Sequence, residues 1–186
     1  GDCGNGVIDV GEFCDVGPTG RCDVCRVGQT GSEGSLRFIG TEEDEESGWS
    51  GASAGDVDGD GLDDVLVGAP YGSSRGETVL MLAADLLSLP RGAVDLDLTP
   101  PSYVFQGEES LDDSGWSVAP AGDVDGDGLD DVLIGAIYAR DSGFSTGKTY
   151  LMLGSDVVAM PSGRVRSVAD ARCTFVGEPA VLELAG

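Results

Sequence analysis

One thirteen-residue string occurs twice in this chain and constrains its fold more than any other feature. Residues 54–66 and residues 121–133 both read AGDVDGDGLDDVL, an offset of 67 positions. Residues 175–178 (FVGE) begin what resembles a further copy, 70 positions after Phe105. Other matched pairs keep the offset of 67: Phe38 with Phe105, Trp49 with Trp116, and Gly68 with Gly135. Repetition at this period predicts copies of one supersecondary unit stacked side by side.

Each unit has the pattern of short β-strands. Residues 64–69 and 131–136 are apolar runs bounded by turn residues, which is typical of buried strands. Further strands are expected in both units at 77–82 and 148–153 and at 102–106 and 173–176, with core strands opening at 48–50 and 115–117. Single helical turns are expected at 83–89 and 156–160. Four strands per unit predict an all-β fold of β-propeller-type blades, each with four antiparallel strands.

The units divide the chain into a small head and a series of blades. We expect a cysteine-rich head over residues 1–28 and blades over residues 29–186. Within the blades we expect repeat one over about 38–104, repeat two over about 105–174, and the start of a third repeat over 175–186. Leu36–Ile39 is expected to be the last strand of a preceding blade, so the two complete units have partial units at both ends.

The head holds four of the five cysteines: Cys3, Cys14, Cys22 and Cys25. A segment this short cannot bury a useful core, so we expect disulfides to stabilise it. A zinc site is the alternative, because Cys22 and Cys25 have the spacing of a zinc half-site, although the other two cysteines do not. Three pairings are open, of which we favour Cys3–Cys14 with Cys22–Cys25. Cys173 is expected to be a buried free thiol or to bridge to the head or to another chain.

The charge balance excludes several classes of function. The chain has 34 acidic against 10 basic residues, a formal net charge of −24, and no histidine. Such a surface repels nucleic acid and anionic membranes, and no apolar run is long enough to insert into a membrane. Without histidine the usual general base is missing, so we predict that this chain is not an enzyme.

The repeated string contains a candidate metal loop. Aspartates at positions 1, 3 and 5 point into one tight turn, where Gly59 and Gly61 let the backbone curl. So many close carboxylates are tolerable around a hard cation, and calcium accepts six to eight oxygen ligands in flexible geometry. Magnesium, which needs a stricter octahedron, is the second choice. The expected ligands of two calcium sites are Asp56, Asp58, Asp60, the Leu62 carbonyl and Asp64, and Asp123, Asp125, Asp127, the Leu129 carbonyl and Asp131.

The loop pattern is open to two other interpretations. An EF-hand needs a glutamate at position 12 and flanking helices, whereas position 12 here is Val67 or Ile134 in a β run. The aspartates could instead form Asx-turns in an exposed loop with no metal. Asp63 and Asp130, at position 8, are expected to point away from the ion.

These residues resemble a known family. Phe38-Ile-Gly40, Gly48-Trp49, the DVDGDGLDD loop and Val67-Gly-Ala-Pro70 are similar to the FG-GAP repeat of integrin α-subunit propellers, and the second unit repeats the order with Ile137 in place of proline. The resemblance implies that each loop joins the first two strands of a blade, where the ion braces the blade's face. The head resembles a short cysteine-rich repeat of large secreted bacterial proteins.

The sequence therefore predicts a calcium-binding, secreted or cell-surface module that serves in adhesion, surface assembly or filament building. Its expected partners are proteins, or further copies that complete a propeller or a filament. The alternatives are a non-catalytic propeller within a larger secreted enzyme and a lectin-like ligand-binding protein. Trp49 and Trp116 would serve the lectin-like alternative as stacking platforms, but their strand positions favour packing in the core.

Overall fold

Short strands occupy most of the described part of the chain, which in this computed structural model is residues 15–16, 22–24, 36–39, 46–89, 92–95, 103–161 and 164–178. At the N-terminal side, β1 (Asp15–Val16) pairs antiparallel with β2 (Cys22–Val24), and β3 (Leu36–Ile39) follows. The cysteine side chains of the head lie outside the described residues. The predicted disulfides, and the boundary of the head, therefore stay predictions.

Blade 1 is an antiparallel sheet whose strands follow one another along the chain. Its elements and their connection are β4 (Ser50–Gly55), β5 (Asp64–Ala69), β6 (Glu77–Met81), α1 (Ala83–Ser88), β7 (Gly92–Asp95) and β8 (Tyr103–Gln106). The order across the sheet is β4-β5-β6-β8, with antiparallel pairing at each step. The four predicted strands of the first repeat are confirmed.

Blade 2 repeats this arrangement. Its elements are β9 (Ser114–Gly122), β10 (Asp131–Ala136), β11 (Arg140–Asp141), β12 (Phe144–Ser145), β13 (Lys148–Met152), α2 (Gly154–Val158), β14 (Arg164–Ser167), a 3-10 turn (Val168–Asp170) and β15 (Cys173–Val176). The sheet order is β9-β10-β13-β15, which confirms the second four-stranded blade. The small hairpin of β11 and β12 is an insertion that the repeat pattern did not predict.

The helices are single turns within the connections, as predicted. α1 has six residues and lies within the predicted segment 83–89, whereas α2 has five and begins two residues before the predicted 156–160. Within the described residues, no helix has the length and apolar character needed to cross a membrane.

The connection within each blade lends a parallel strand to the outer strand of the preceding blade. β14 leaves blade 2 and pairs parallel with β8, the outer strand of blade 1, with Arg164 opposite Tyr103. β7 pairs parallel with β3 in the same way, with Leu36 opposite Gly92. β3 therefore pairs with the connecting strand of blade 1 in the same way that β8 pairs with the connecting strand of blade 2. This is consistent with the predicted role of β3 as the outer strand of a preceding blade. The parallel strands β7 and β14 were not predicted.

The two sheets pack face to face on a shared core. Leu66, Leu80 and Phe105 of blade 1 are fully buried against residues of blade 2 that include Ile134 and Met152. The alternate strand residues Val67, Val79 and Met81 point to the other side of the sheet and form a second cluster with Leu86 of α1. Side chains alternate between the two faces of a strand, so one blade presents a different apolar surface to each neighbour.

The tryptophans do not lie in the core, so that prediction was wrong. Trp49 is 49% exposed and Trp116 is partly buried. Their ring centroids are 4.7 Å apart, and Tyr71 meets Trp49 edge to face at 6.5 Å. The pair bridges the two blades at the surface: Trp49 lies directly before β4, and Trp116 is near the beginning of β9.

Cys173 is exposed on the outer strand β15 and has a free thiol. The prediction of a buried thiol was therefore wrong, whereas a bridge to another chain stays a prediction. Position 173 begins an edge strand whose four residues are all exposed.

Candidate metal centres

Each acidic loop joins the first two strands of its blade, as the resemblance implied. Loop 1, residues 55–63, connects β4 to β5, and loop 2, residues 122–130, connects β9 to β10. Gly59 and Gly61 have φ of +80° and +87°, and the corresponding glycines of loop 2 have +78° and +93°. This left-handed region is costly for residues with a Cβ, so glycine is required for the curl.

The curl brings three carboxylates together in each loop. Oxygens of Asp56, Asp58 and Asp60 all lie within 4.8 Å of one another, and the same holds for the second triad, Asp123, Asp125 and Asp127. Two negative charges at such a distance repel by about 1 kcal/mol even in water, and more near a protein surface. Carboxylate oxygens converging on one point are the donor set that calcium and magnesium prefer.

Backbone N–H groups hold these carboxylates in place. Gly59 N donates to Asp56 Oδ1 at 2.8 Å and Gly61 N donates to Asp56 Oδ2 at 3.0 Å. In loop 2 the equivalent donors reach Asp123 at 2.7 and 3.0 Å. These are Asx-type bonds, so the turn geometry of the metal-free alternative is present. Such bonds satisfy each aspartate singly.

The position-9 aspartates are fully buried and tie the loop to the rest of the blade. Asp64 accepts from Val57 N at 3.0 Å and from Ala83 N, at the start of α1, at 2.8 Å. Asp131 accepts from Val124 N and Gly154 N, both at 2.9 Å. These residues were predicted as metal ligands, and this bridging role was missed. The signal in the sequence was an aspartate at the first position of a buried strand.

Burial raises the pKa of Asp64 from 3.8 to about 6. The hydrogen bonds from Ala83 and Val57 oppose this shift, and the charges of Asp58 and Asp60 add to it. Ionisation of the Asp64 carboxyl therefore costs free energy in the metal-free fold. A cation in the loop would favour the ionised form.

The position-8 aspartates have different surroundings in the two loops. Asp130 Oδ2 accepts from Asp56 N at 2.9 Å, and Asp130 N donates to Asp56 O at 2.9 Å. Asp130 therefore joins loop 2 to loop 1, a contact that sequence reasoning missed. Asp63 is exposed and accepts a long hydrogen bond from Ser53 Oγ of its own blade, at 3.4 Å.

The position-7 leucines also differ. Leu62 is 43% exposed, whereas Leu129 is partly buried and approaches the first loop so closely that a Cβ at Gly59 would lie 3.0 Å from its Cδ2. Their carbonyl groups were predicted as ligands, and this stays a prediction.

Comparison with known proteins gives the family of the blades. The FG-GAP repeat model matches residues 47–80 and 114–152. Human integrin alpha-IIb is 38% identical over 102 residues, which cover 53% of this chain and 9% of that protein. Integrin alpha-PS2 of Drosophila melanogaster is 33% identical over 116 residues, 60% of this chain and 8% of that protein. Integrin alpha pat-2 of Caenorhabditis elegans is 27% identical over 149 residues, 77% of this chain and 11% of that protein.

The chain thus spans about a tenth of the length of the curated relatives that it matches. Both matched segments contain an acidic loop together with the two strands that it connects. Residues 47–80 and 114–152 match the FG-GAP repeat, and this part of the chain is similar in sequence to integrin α-subunits.

Proposed function

We propose that this chain is a calcium-binding module of an extracellular protein, which acts in adhesion or assembly through protein contacts. The observation that carries this proposal is the pair of carboxylate triads, each with its oxygens within 4.8 Å, on identical glycine-curled loops. We assign the ligands at positions 1, 3, 5, 7 and 9 as the sequence predicts. The residues present fit a hard cation, since every donor is an oxygen.

Calcium fits these loops better than magnesium. The triads lie in short loops on the surface, and calcium tolerates the uneven geometry that such a loop supplies, whereas magnesium requires a near-ideal octahedron. Four aspartates surround each site, so one calcium ion would offset two of four formal negative charges. Binding to the folded chain alone would stabilise it by about 2.7 kcal/mol when calcium is at 100 times its Kd.

The bound ion would stiffen the contact between the blades. Asp56 is both a ligand of the first site and, through its backbone, the partner of Asp130 in the next blade. Ordering Asp56 therefore also orders the junction of the two sheets. The chain's own residues do the binding and positioning, and we assign it no catalytic role.

The similarity to integrin α-subunits supports an extracellular adhesion or assembly role. Calcium sites of extracellular modules have Kd values of about 0.1–1 mM, which suits constant occupation outside the cell. Protein partners, or further copies that complete a propeller or filament, are the proposed interaction partners. The net charge of −24 makes nucleic acid an unsuitable one.

Calorimetric titration of the full chain with calcium tests the proposal. We expect two sites in the wild type and one in each of Asp58→Ala and Asp125→Ala, because each change removes a central ligand of one triad. Chelation should lower the melting temperature, and calcium should restore it.

Asp141→Ala is the matched control, since Asp141 is an exposed aspartate in the hairpin of β11 and β12, outside both triads. It should leave two sites. A wild-type chain that binds no calcium, with melting unaffected by chelator, would refute the proposed function.

A second candidate function is binding of a ligand by aromatic stacking, as in the lectin-like alternative. The cluster of exposed Trp49 and Tyr71 with partly buried Trp116 favours it. Quenching of tryptophan fluorescence by a panel of saccharides, lost in Trp49→Ala, would support this candidate, and an unchanged spectrum across the panel would argue against it.

A further inference from the structure

The two acidic loops are hydrogen-bonded to each other at the junction of the blades. Asp130, at position 8 of loop 2, accepts from Asp56 N through Oδ2 at 2.9 Å, and Asp130 N donates to Asp56 O at 2.9 Å. The approach is close, since a Cβ at Gly55 would collide with the Asp130 carboxylate. Asp56 is position 1 of loop 1, so loop 2 holds its backbone while its carboxylate belongs to the first triad.

Asp130 also lies between two residues that the proposed function assigns to the second site. Leu129, whose carbonyl is an assigned ligand, precedes it, and Asp131, whose carboxylate is another, follows it. Neighbouring Cα atoms are about 3.8 Å apart and each residue has only two soft backbone dihedral angles. Fixing Asp130 on loop 1 therefore restricts the positions that both ligands of loop 2 can take.

A second close approach joins the loops at the start of α2. Gly154 N donates to Asp131 Oδ1 at 2.9 Å. A Cβ at Gly154 would lie 3.0 Å from Val57 O of loop 1 and 2.6 Å from Asp130 O of loop 2. Val57 N is in turn bonded to Asp64, the position-9 residue of the first site, at 3.0 Å. The ligand residues of the two sites therefore share one packed junction.

Loop 1 offers a matched position without this contact. Asp63 has the same place in its loop as Asp130, and it is exposed. It accepts a long hydrogen bond from Ser53 Oγ, at 3.4 Å, within its own blade. The two position-8 aspartates carry the same charge at the same chain distance from their ligands, but Asp130 is the one that is bonded to the other loop.

We propose that Asp130 is a positioning residue through which the two calcium sites raise each other's affinity. When Asp56 is held by a cation in the first site, its backbone holds Asp130, and with it Leu129 and Asp131. Loop 2 then has less freedom to lose when it binds its own cation, so binding there is tighter. Linkage makes the effect mutual. The inference rests on the calcium binding proposed above and adds that the sites are coupled.

Calorimetric titration of the full chain measures the coupling factor. This factor is the overall association constant for two ions divided by the product of the single-site constants, which Asp58→Ala and Asp125→Ala report. Asp130→Asn and Asp130→Ala are equal in charge, but the asparagine keeps an oxygen that accepts from Asp56 N. We expect the factor to be about threefold to tenfold larger with asparagine than with alanine, the range that one hydrogen bond supplies.

The same exchange in loop 1 is the matched control. Asp63→Asn and Asp63→Ala remove the same charge at the same position of the repeated string, and Asp63 is not bonded to loop 2. The coupling factors of these two variants should agree with each other. All four position-8 variants should still bind two calcium ions, because position 8 supplies no assigned ligand.

Hydrogen exchange gives a readout that is independent of affinity at the second site. Asp125→Ala lacks the central ligand of the second triad, so added calcium occupies the first site alone. The Val124 amide, which is bonded to Asp131 at 2.9 Å, should then exchange about threefold to tenfold more slowly with calcium than without it. In the double variant with Asp130→Ala this slowing should fall below about twofold, while calcium still protects the Gly59 amide of loop 1.

The outcomes separate the coupling from calcium binding itself. Two sites with equal coupling factors in Asp130→Asn and Asp130→Ala would overturn the inference and leave the proposed function intact. A Val124 amide that does not respond to calcium in Asp125→Ala would do the same, and this measurement stays decisive if Asp130→Ala fails to fold, because it needs no change at Asp130. A wild-type chain that binds no calcium would overturn the proposed function and the coupling together.

Discussion

Loop 1 and loop 2 lie in the two copies of the same thirteen-residue string and have the same local geometry, but different surroundings. The bonds to Asp56 and Asp123 agree within about 0.1 Å, and so do the bonds from Val57 N and Val124 N to the position-9 aspartates. Val57 is nevertheless buried and Val124 exposed. Local geometry follows from the sequence of the loop, whereas burial follows from which blade lies beside it.

The largest loss of stability is expected from substitutions at position 9, and it should be similar in both loops. Asp64→Ala and Asp131→Ala each leave two backbone N–H groups without an acceptor, all of them buried except the part-buried Val124 N–H, which costs about 2–5 kcal/mol of unfolding free energy. Urea denaturation in the presence of chelator measures this cost without the contribution of metal. Asp141→Ala is the control, expected within about 0.5 kcal/mol of wild type. A large difference in unfolding free energy between Asp64→Ala and Asp131→Ala would contradict the interpretation that the loop geometry is determined locally.

The next largest loss of stability, from truncation of the position-2 valines, should differ between the loops. Val57→Ala removes two buried methyl groups and should cost about 2 kcal/mol, whereas the identical change Val124→Ala should cost less than about 0.5 kcal/mol. Equilibrium unfolding of the two variants, each the other's control, decides the point. Equal costs would mean that the junction of the blades contributes little to stability.

A smaller difference is expected at position 8. Asp130→Ala loses the hydrogen bond to Asp56 N and should cost about 1–2 kcal/mol, while Asp63→Ala should be nearly neutral because Asp63 is exposed. Asp130→Asn, which keeps an acceptor oxygen, should lie between them. Thermal unfolding of the three variants measures the order, and an Asp63→Ala variant as unstable as Asp130→Ala would contradict it.

The smallest expected difference is in metal affinity. Because the ligands and their backbone bonds are alike in both loops, the two calcium Kd values should lie within about tenfold of each other. Titration of Asp58→Ala reports the second site alone, and titration of Asp125→Ala reports the first. A larger gap would show that the neighbouring blade tunes the first loop, through Asp130 on the backbone of Asp56.

Strands and loops were predictable where the pattern is local. The apolar runs of β5 and β10 and the left-handed glycines of both loops follow from residues within a few positions of each other. The parallel strands β7 and β14 were missed, because their partners belong to the preceding blade and their own sequences have no clear strand pattern. The tryptophans were misplaced because strand position does not determine what covers a strand end.

The sequence by itself determined the repeat, the four-stranded unit, the curl of the acidic loops and the convergence of their aspartates, because each depends on backbone conformation and short-range bonding. Only the tertiary structure decided that Asp130 bonds to the loop of the neighbouring blade, that Asp64 is buried beneath its own loop, and that Val57 and Val124 differ. Burial is a property of a residue's neighbours in space, and two identical strings of residues acquire different neighbours when one blade packs on the next.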